Sequence, residues 1–85
     1  MPKSIYSPDQ LLLQALLKKT RLQSGLTQLD LAKKLRKPQS HVSKFESGER
    51  RLDLIELQRV CRALDIRLSE FVAAFERSER TNDAR

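Results

Sequence analysis

Between Gly25 and Gly48 the sequence leaves room for two short helices and almost nothing to join them. Thr27 has the side chain of a helix N-cap, and Asp30 stands three residues later, where a carboxylate reaches back to the cap. Leu31, Ala32 and Leu35 then fall on one helical face until Pro38, which has no N–H with which to continue the helix. Arg36 and Lys37 form the linker. Pro38 opens the next helix, which runs to about Glu46, turns Val42 and Phe45 inward and stops at Gly48. Helices this short and this closely joined pack at a steep angle only where a small side chain lies at the crossing, and Ala32 meets that need.

The same capping signals divide the rest of the chain. Ser7-Pro8-Asp9-Gln10 opens a first helix: Ser7 caps, Pro8 takes the first position, and Gln10 stands where a capping-box partner belongs. This helix runs to about Ser24, with Leu13, Leu16, Leu17 and Thr20 on one face. Asp53 and Glu56 form another capping box, followed by a stripe of Leu54, Leu57, Val60, Cys61 and Leu64. Ser69 caps a fifth helix, expected over about 69–77 and carrying Phe71, Val72, Ala74 and Phe75. The fold class is therefore all-α, with five helices. The expected organisation is an N-terminal arm over 1–7, a domain over 8–77 with its two-helix unit at 27–47, and a frayed polar tail over 78–85.

A chain of 85 residues builds only a small core, and such chains often draw on disulfides, metals or a second subunit. The single cysteine and single histidine rule out an internal disulfide and a zinc set. Cys61 lies in the apolar stripe and is expected as a buried structural thiol. No cofactor is expected, and no nucleophile with base, paired carboxylates or phosphate-cradling glycine loop points to an enzyme. The absence of a signal peptide or apolar span, together with the thiol usage, gives an expectation of a soluble, cytoplasmic protein without a membrane partner. The net charge is +6, and the basic excess lies entirely before Asp53. That distribution points to a polyanionic partner, because each cation that neutralises a phosphate releases a condensed counterion.

The outward face of the helix from Pro38 to Glu46 sharpens this expectation. It reads Gln39, Ser40, Ser43 and Lys44, a set of short or amide-bearing hydrogen-bonding groups with no acid among them. Such groups suit base edges in a major groove, where Gln pairs bidentately with adenine and Lys donates to guanine. The residues Leu26-Thr27-Gln28, Leu31-Ala32-Lys33-Lys34-Leu35 and Gln39-Ser40-His41-Val42-Ser43-Lys44-Phe45-Glu46-Ser47-Gly48 together resemble the Xre-type, lambdoid phage repressor-like helix-turn-helix family. The resemblance continues through Glu49-Arg50-Arg51-Leu52 and Arg62-Ala63-Leu64, and covers about residues 13–72.

The resemblance implies a lambda-repressor-like domain that binds double-stranded DNA. Gln39, Ser40, Ser43 and Lys44 take its base-reading positions, with His41 beside them. Gln28 takes a phosphate-gripping position at a helix start; Thr27, Lys37, Ser47, Arg50 and Arg51 are the further phosphate candidates. Arg21 and Glu46 fall where related repressors place a buried salt bridge that sets the angle of the reading helix. Two departures stand out. The family often has glycine where this chain has Arg36 and Asp65, and both positions are expected to need left-handed backbone.

One reading helix spans few base pairs, and the family solves this with dimers on palindromic sites whose half-sites lie about one DNA turn, roughly 34 Å, apart. Leu68, Phe71, Val72 and Phe75 exceed what a core of this size needs, so the fifth helix is the expected homodimer interface. The expected function is transcriptional regulation by operator occupancy, with a repressor as the leading form and autoregulation as a variant of it. An antitoxin with a toxin partner and a restriction-modification controller are the neighbouring alternatives. Ile5-Tyr6-Ser7 with Gln10-Leu11 slightly resembles one antitoxin group. A protein-interaction adaptor that no longer binds DNA is the alternative from another class.

Overall fold

The computed structural model describes residues 7–83, with side-chain surroundings given for 7–79. The expected arm and the Ile5-Tyr6 feature therefore lie outside the described residues, apart from Ser7. Five helices follow in order: α1 (Pro8–Gln23), α2 (Gln28–Leu35), α3 (Gln39–Ser47), α4 (Leu54–Ala63) and α5 (Leu68–Asp83). No strand occurs among the described residues. α3 packs against α1 and α2, α4 against α2 and α5, and α5 closes on α1. Leu17, Leu31, Ala32, Val42, Phe45, Val60, Cys61, Leu64 and Phe71 form the core. Ala32 is fully buried, as the close crossing of α2 and α3 requires.

The starts of the helices follow from their caps. Ser7 accepts from the Gln10 backbone N–H at 3.1 Å. Thr27 with Asp30, and Asp53 with Glu56, form reciprocal capping boxes. α3 alone among the first four helices has no side-chain cap; Pro38 precedes it in extended backbone.

Three helices end in the same way. The N–H of Leu26 donates to the carbonyl of Arg21 (3.3 Å), that of Lys37 to Ala32 (2.9 Å) and that of Ile66 to Cys61 (2.9 Å). Each such bond needs the preceding residue in left-handed backbone. Gly25 adopts it freely (φ 76°), whereas Arg36 (φ 58°) and Asp65 (φ 59°) adopt it as side-chain-bearing residues. The two departures from the family pattern thus keep its turn geometry, at the steric cost that glycine avoids.

Four expectations change. Leu54 was grouped with the α4 stripe, but it is 64% exposed: it sits in the first turn, and none of the described elements packs over it. α5 starts at Leu68, so Ser69 lies inside the helix and does not cap it. Arg67 takes the capping place, its carbonyl accepting from Phe71 N–H (3.0 Å) and its N–H donating to the Glu70 carboxylate (3.2 Å). α5 also continues to Asp83 instead of fraying near 77, because no glycine or proline follows Phe75 to stop it. Finally, Phe71, expected at a subunit interface, is 1% exposed and belongs to the chain's own core.

Cys61 is buried as expected, and burial pushes its thiol up to about 11. None of the described helices is long and apolar enough to cross a membrane. Among the described residues no cluster of His, Cys, Asp and Glu is placed to share a metal ion.

Candidate nucleic-acid interface

Val42 and Phe45 fix α3 to the core, and this anchoring turns the opposite side of the helix outward. Gln39, Ser40, Ser43 and Lys44 are all exposed on that side. His41 stands at its edge and is half-buried, its ring meeting Phe45 edge-on at 5.7 Å and 87°. Burial lowers the His41 pKa from its ordinary 6.5, and Arg50 and Lys37 lower it further. His41 is therefore neutral near pH 7 and offers a hydrogen bond instead of a charge.

Beneath this face lies a buried ion pair, at the positions the family resemblance implied. Arg21 Nε donates to Glu46 Oε2 at 2.7 Å and Nη2 to Oε1 at 3.1 Å, with the two side chains only 6% and 4% exposed. Arg21 Nη1 also donates to the Leu26 carbonyl at 2.9 Å. One guanidinium thus ties α1, the loop before α2 and the end of α3 together. Gln14 adds a weaker tie, Nε2 donating to the Glu46 carbonyl at 3.4 Å.

The pair extends outward to the exposed face of α3. Gln28 Nε2 donates to Glu46 Oε1 (3.1 Å), and Gln39 Nε2 donates to Gln28 Oε1 (3.3 Å). An ionised carboxylate only accepts hydrogen bonds, so Glu46 draws the amide nitrogen of Gln28 inward and leaves its oxygen facing Gln39. That oxygen in turn selects the nitrogen of Gln39. Gln39 keeps one N–H and its carbonyl oxygen for an outside partner, the pair that meets N7 and N6 of adenine. Sequence spacing does not reveal this chain of contacts, because it depends on the angle at which α2 and α3 cross.

The phosphate candidates surround the face. Thr27 is exposed at the α2 start, although its hydroxyl oxygen already accepts from Asp30 N–H (3.0 Å). Lys37 is exposed in the turn and Arg51 in the loop after α3. Ser47 is locally engaged: its Oγ donates to the Lys44 carbonyl (3.1 Å), and the Glu49 carboxylate lies 3.4 Å away. Arg50 is also engaged, paired through Nη2 with Glu56 Oε2. That partner was not anticipated, since the capping role of Glu56 hides its second one. Glu56 is held below the usual carboxylate range, first by the Asp53 backbone N–H and also by Arg50.

Of the expected interface residues on α5, Val72 is 38% exposed, while Leu68 and Phe75 are partly buried.

Known proteins agree with this architecture. The helix-turn-helix family model matches residues 17–71. An XRE-family like protein from Pseudomonas syringae pv. tomato str. DC3000 is 38% identical, with 89% of this chain and 93% of that one covered at a TM-score of 0.80. A mutant of the restriction-modification controller protein C.Esp1396I is 29% identical, covering 79% of this chain and 92% of that one at a TM-score of 0.73. A comparison with curated proteins found no match. The family match takes in the whole α2–α3 unit and both partners of the Arg21–Glu46 pair, and the chain belongs to the XRE-type helix-turn-helix family of DNA-binding transcriptional regulators.

Proposed function

We propose that the chain acts as a homodimeric repressor that occupies a palindromic operator. Gln39, Ser40, Ser43 and Lys44 read base edges, His41 contributes at the margin, and Thr27, Lys37, Ser47, Arg50 and Arg51 hold phosphates. Gln28, whose side chain is engaged by Glu46 and Gln39 instead of gripping a phosphate as the resemblance implied, offers phosphate its backbone N–H at the α2 start. The observation that carries this reading is the hydrogen-bond chain from Arg21 through Glu46 and Gln28 to Gln39. A helix with no base to read has no use for an exposed amide whose donor and acceptor ends are set from the core.

Two copies place two α3 helices in successive major grooves. The exposed apolar groups that could pair the copies include Val72 on α5 and, outside the set expected from sequence, Leu54 and Ile55 at the start of α4 (64% and 56% exposed), with Leu11 and Leu22 on α1 and Leu29 on α2 also exposed. Selection of bound duplexes from a random pool tests the whole reading. The expected winner is a symmetric site with half-site centres about 34 Å apart along the duplex. Enrichment of a single asymmetric site, or of no sequence, would refute it.

A second reading, control of a restriction-modification system, is favoured by the likeness to C.Esp1396I. The neighbouring genes separate the two: a methyltransferase and an endonuclease beside this gene favour control, and a toxin gene favours the antitoxin alternative.

A further inference from the structure

Arg50 stands three residues beyond the end of α3, its N–H donating to the Lys44 carbonyl at 3.2 Å. Its guanidinium is nearly half exposed, as a phosphate contact requires, yet Nη2 is taken by Glu56. Glu56 is itself fixed from two sides: its Oε1 accepts from Asp53 N–H at 3.0 Å, and its own N–H donates to Asp53 Oδ1 at 2.7 Å. A carboxylate pinned by a capping box cannot swing away as a free surface acid would. The capping box thus holds it beside Arg50, and its charge reaches His41 on α3 as well.

We propose that Glu56 is a built-in competitor of DNA phosphate for Arg50, setting how tightly and how salt-dependently the chain holds DNA without changing which sequence it reads. This rests on the reading of Arg50 as a phosphate contact. Two anions compete for one guanidinium: the Glu56 carboxylate within the protein and the phosphate outside it. While Glu56 holds Nη2, Arg50 neutralises less of the phosphate charge, and fewer counterions leave the duplex on binding. Exposed pairs of this kind are weak, so phosphate displaces or shares the arginine instead of being excluded.

Glu56→Gln isolates the effect, because glutamine keeps the oxygen that accepts from Asp53 N–H and capping boxes work with either residue. The variant is expected to melt within a few degrees of the parent. Its affinity for a random duplex and for a selected operator is expected to rise by the same factor, roughly 2- to 5-fold, and the slope of log K against log[salt] to steepen by up to about one unit. In an Arg50→Ala background the same substitution is expected to gain less than about twofold, since the contested group is gone.

An equal gain in both backgrounds would overturn the proposal, showing that Glu56 acts only through its general negative charge. Unchanged or weaker binding would also overturn it, showing that Glu56 orients Arg50 for the phosphate. A parent chain that shows no salt-dependent binding to duplex would refute the DNA-contact reading itself, and this proposal with it.

Discussion

Replacing Glu46 by alanine should damage the fold before it damages recognition. Arg21 makes three hydrogen bonds, two to the Glu46 carboxylate and one to the Leu26 carbonyl, and its side chain is almost wholly buried. Alanine at 46 removes two of them and strands the guanidinium charge, while Gln28 Nε2 loses its acceptor as well. Breaking one side of a buried pair costs about 3–5 kcal/mol. A domain of this size has roughly 4–13 kcal/mol in total, so the loss consumes much of it and lowers Tm by on the order of 20 °C. Thermal and urea unfolding measure this directly. The double variant Arg21→Met, Glu46→Leu removes both charges, and its stability is expected within about 1 kcal/mol of the parent or above it. It also leaves the amide of Gln28 without a carboxylate to orient it. The refolded double variant should therefore bind duplex but discriminate less against a changed base opposite Gln39. A Glu46→Ala protein that melts within about 1 kcal/mol of the parent would refute the stability argument. A double variant that reads DNA unchanged would show the chain of contacts to be incidental.

Other substitutions test the turns and the histidine. Gly48 has φ 89°, and a Cβ there would lie 2.6 Å from the buried Gln14 Oε1; Gly48→Ala should cost about 1–2 kcal/mol in urea unfolding. Combining it with Gln14→Ala should relieve the clash but not the backbone strain. Arg36→Gly and Asp65→Gly relax left-handed positions, and each should stabilise the domain by about 0.5–1 kcal/mol; a loss of stability would contradict the strain argument. The His41 pKa is lowered in the folded chain, so the unfolded chain binds its proton first as pH falls. The stability that His41 contributes is present above the ordinary value of 6.5 and is lost as pH falls from there through the folded value. The decline in Tm over that range should be shallower in His41→Gln; identical curves would show that His41 is not the group responsible.

Much of the architecture was legible because the sequence marks its helix boundaries with groups that act locally. Thr27 with Asp30 and Asp53 with Glu56 need no tertiary context to cap a helix, and the structure shows both boxes. The left-handed backbone at Arg36 and Asp65 was legible only through resemblance, since neither residue type calls for it. Periodicity was a weaker guide to packing. It placed Leu54 with Leu57 and Val60, although the first turn of α4 is exposed among the described residues. It offered Phe71 to a second subunit, because an apolar face on α5 looks the same whether α1 or a partner covers it. The Arg21–Glu46 pair followed from resemblance, but its extension to Gln28 and Gln39 did not. That extension depends on side chains 11 and 18 residues apart meeting across a helix crossing. Glu56 was hidden in another way: one carboxylate serves a helix cap and an ion pair, and the local role accounts for it fully.

The central claim is that Gln39 reads a base with its amide held in one orientation. The most direct measurement is a double cycle: the affinity of the parent chain and of Gln39→Ala for the selected operator, and for the same operator with the adenine opposite Gln39 replaced in both half-sites. The account predicts that either change alone costs about 1–3 kcal/mol per half-site, and that the base change costs almost nothing further once Gln39 is gone. A Gln39→Ala chain that binds every duplex more weakly by one common factor, with the base preference intact, would contradict it.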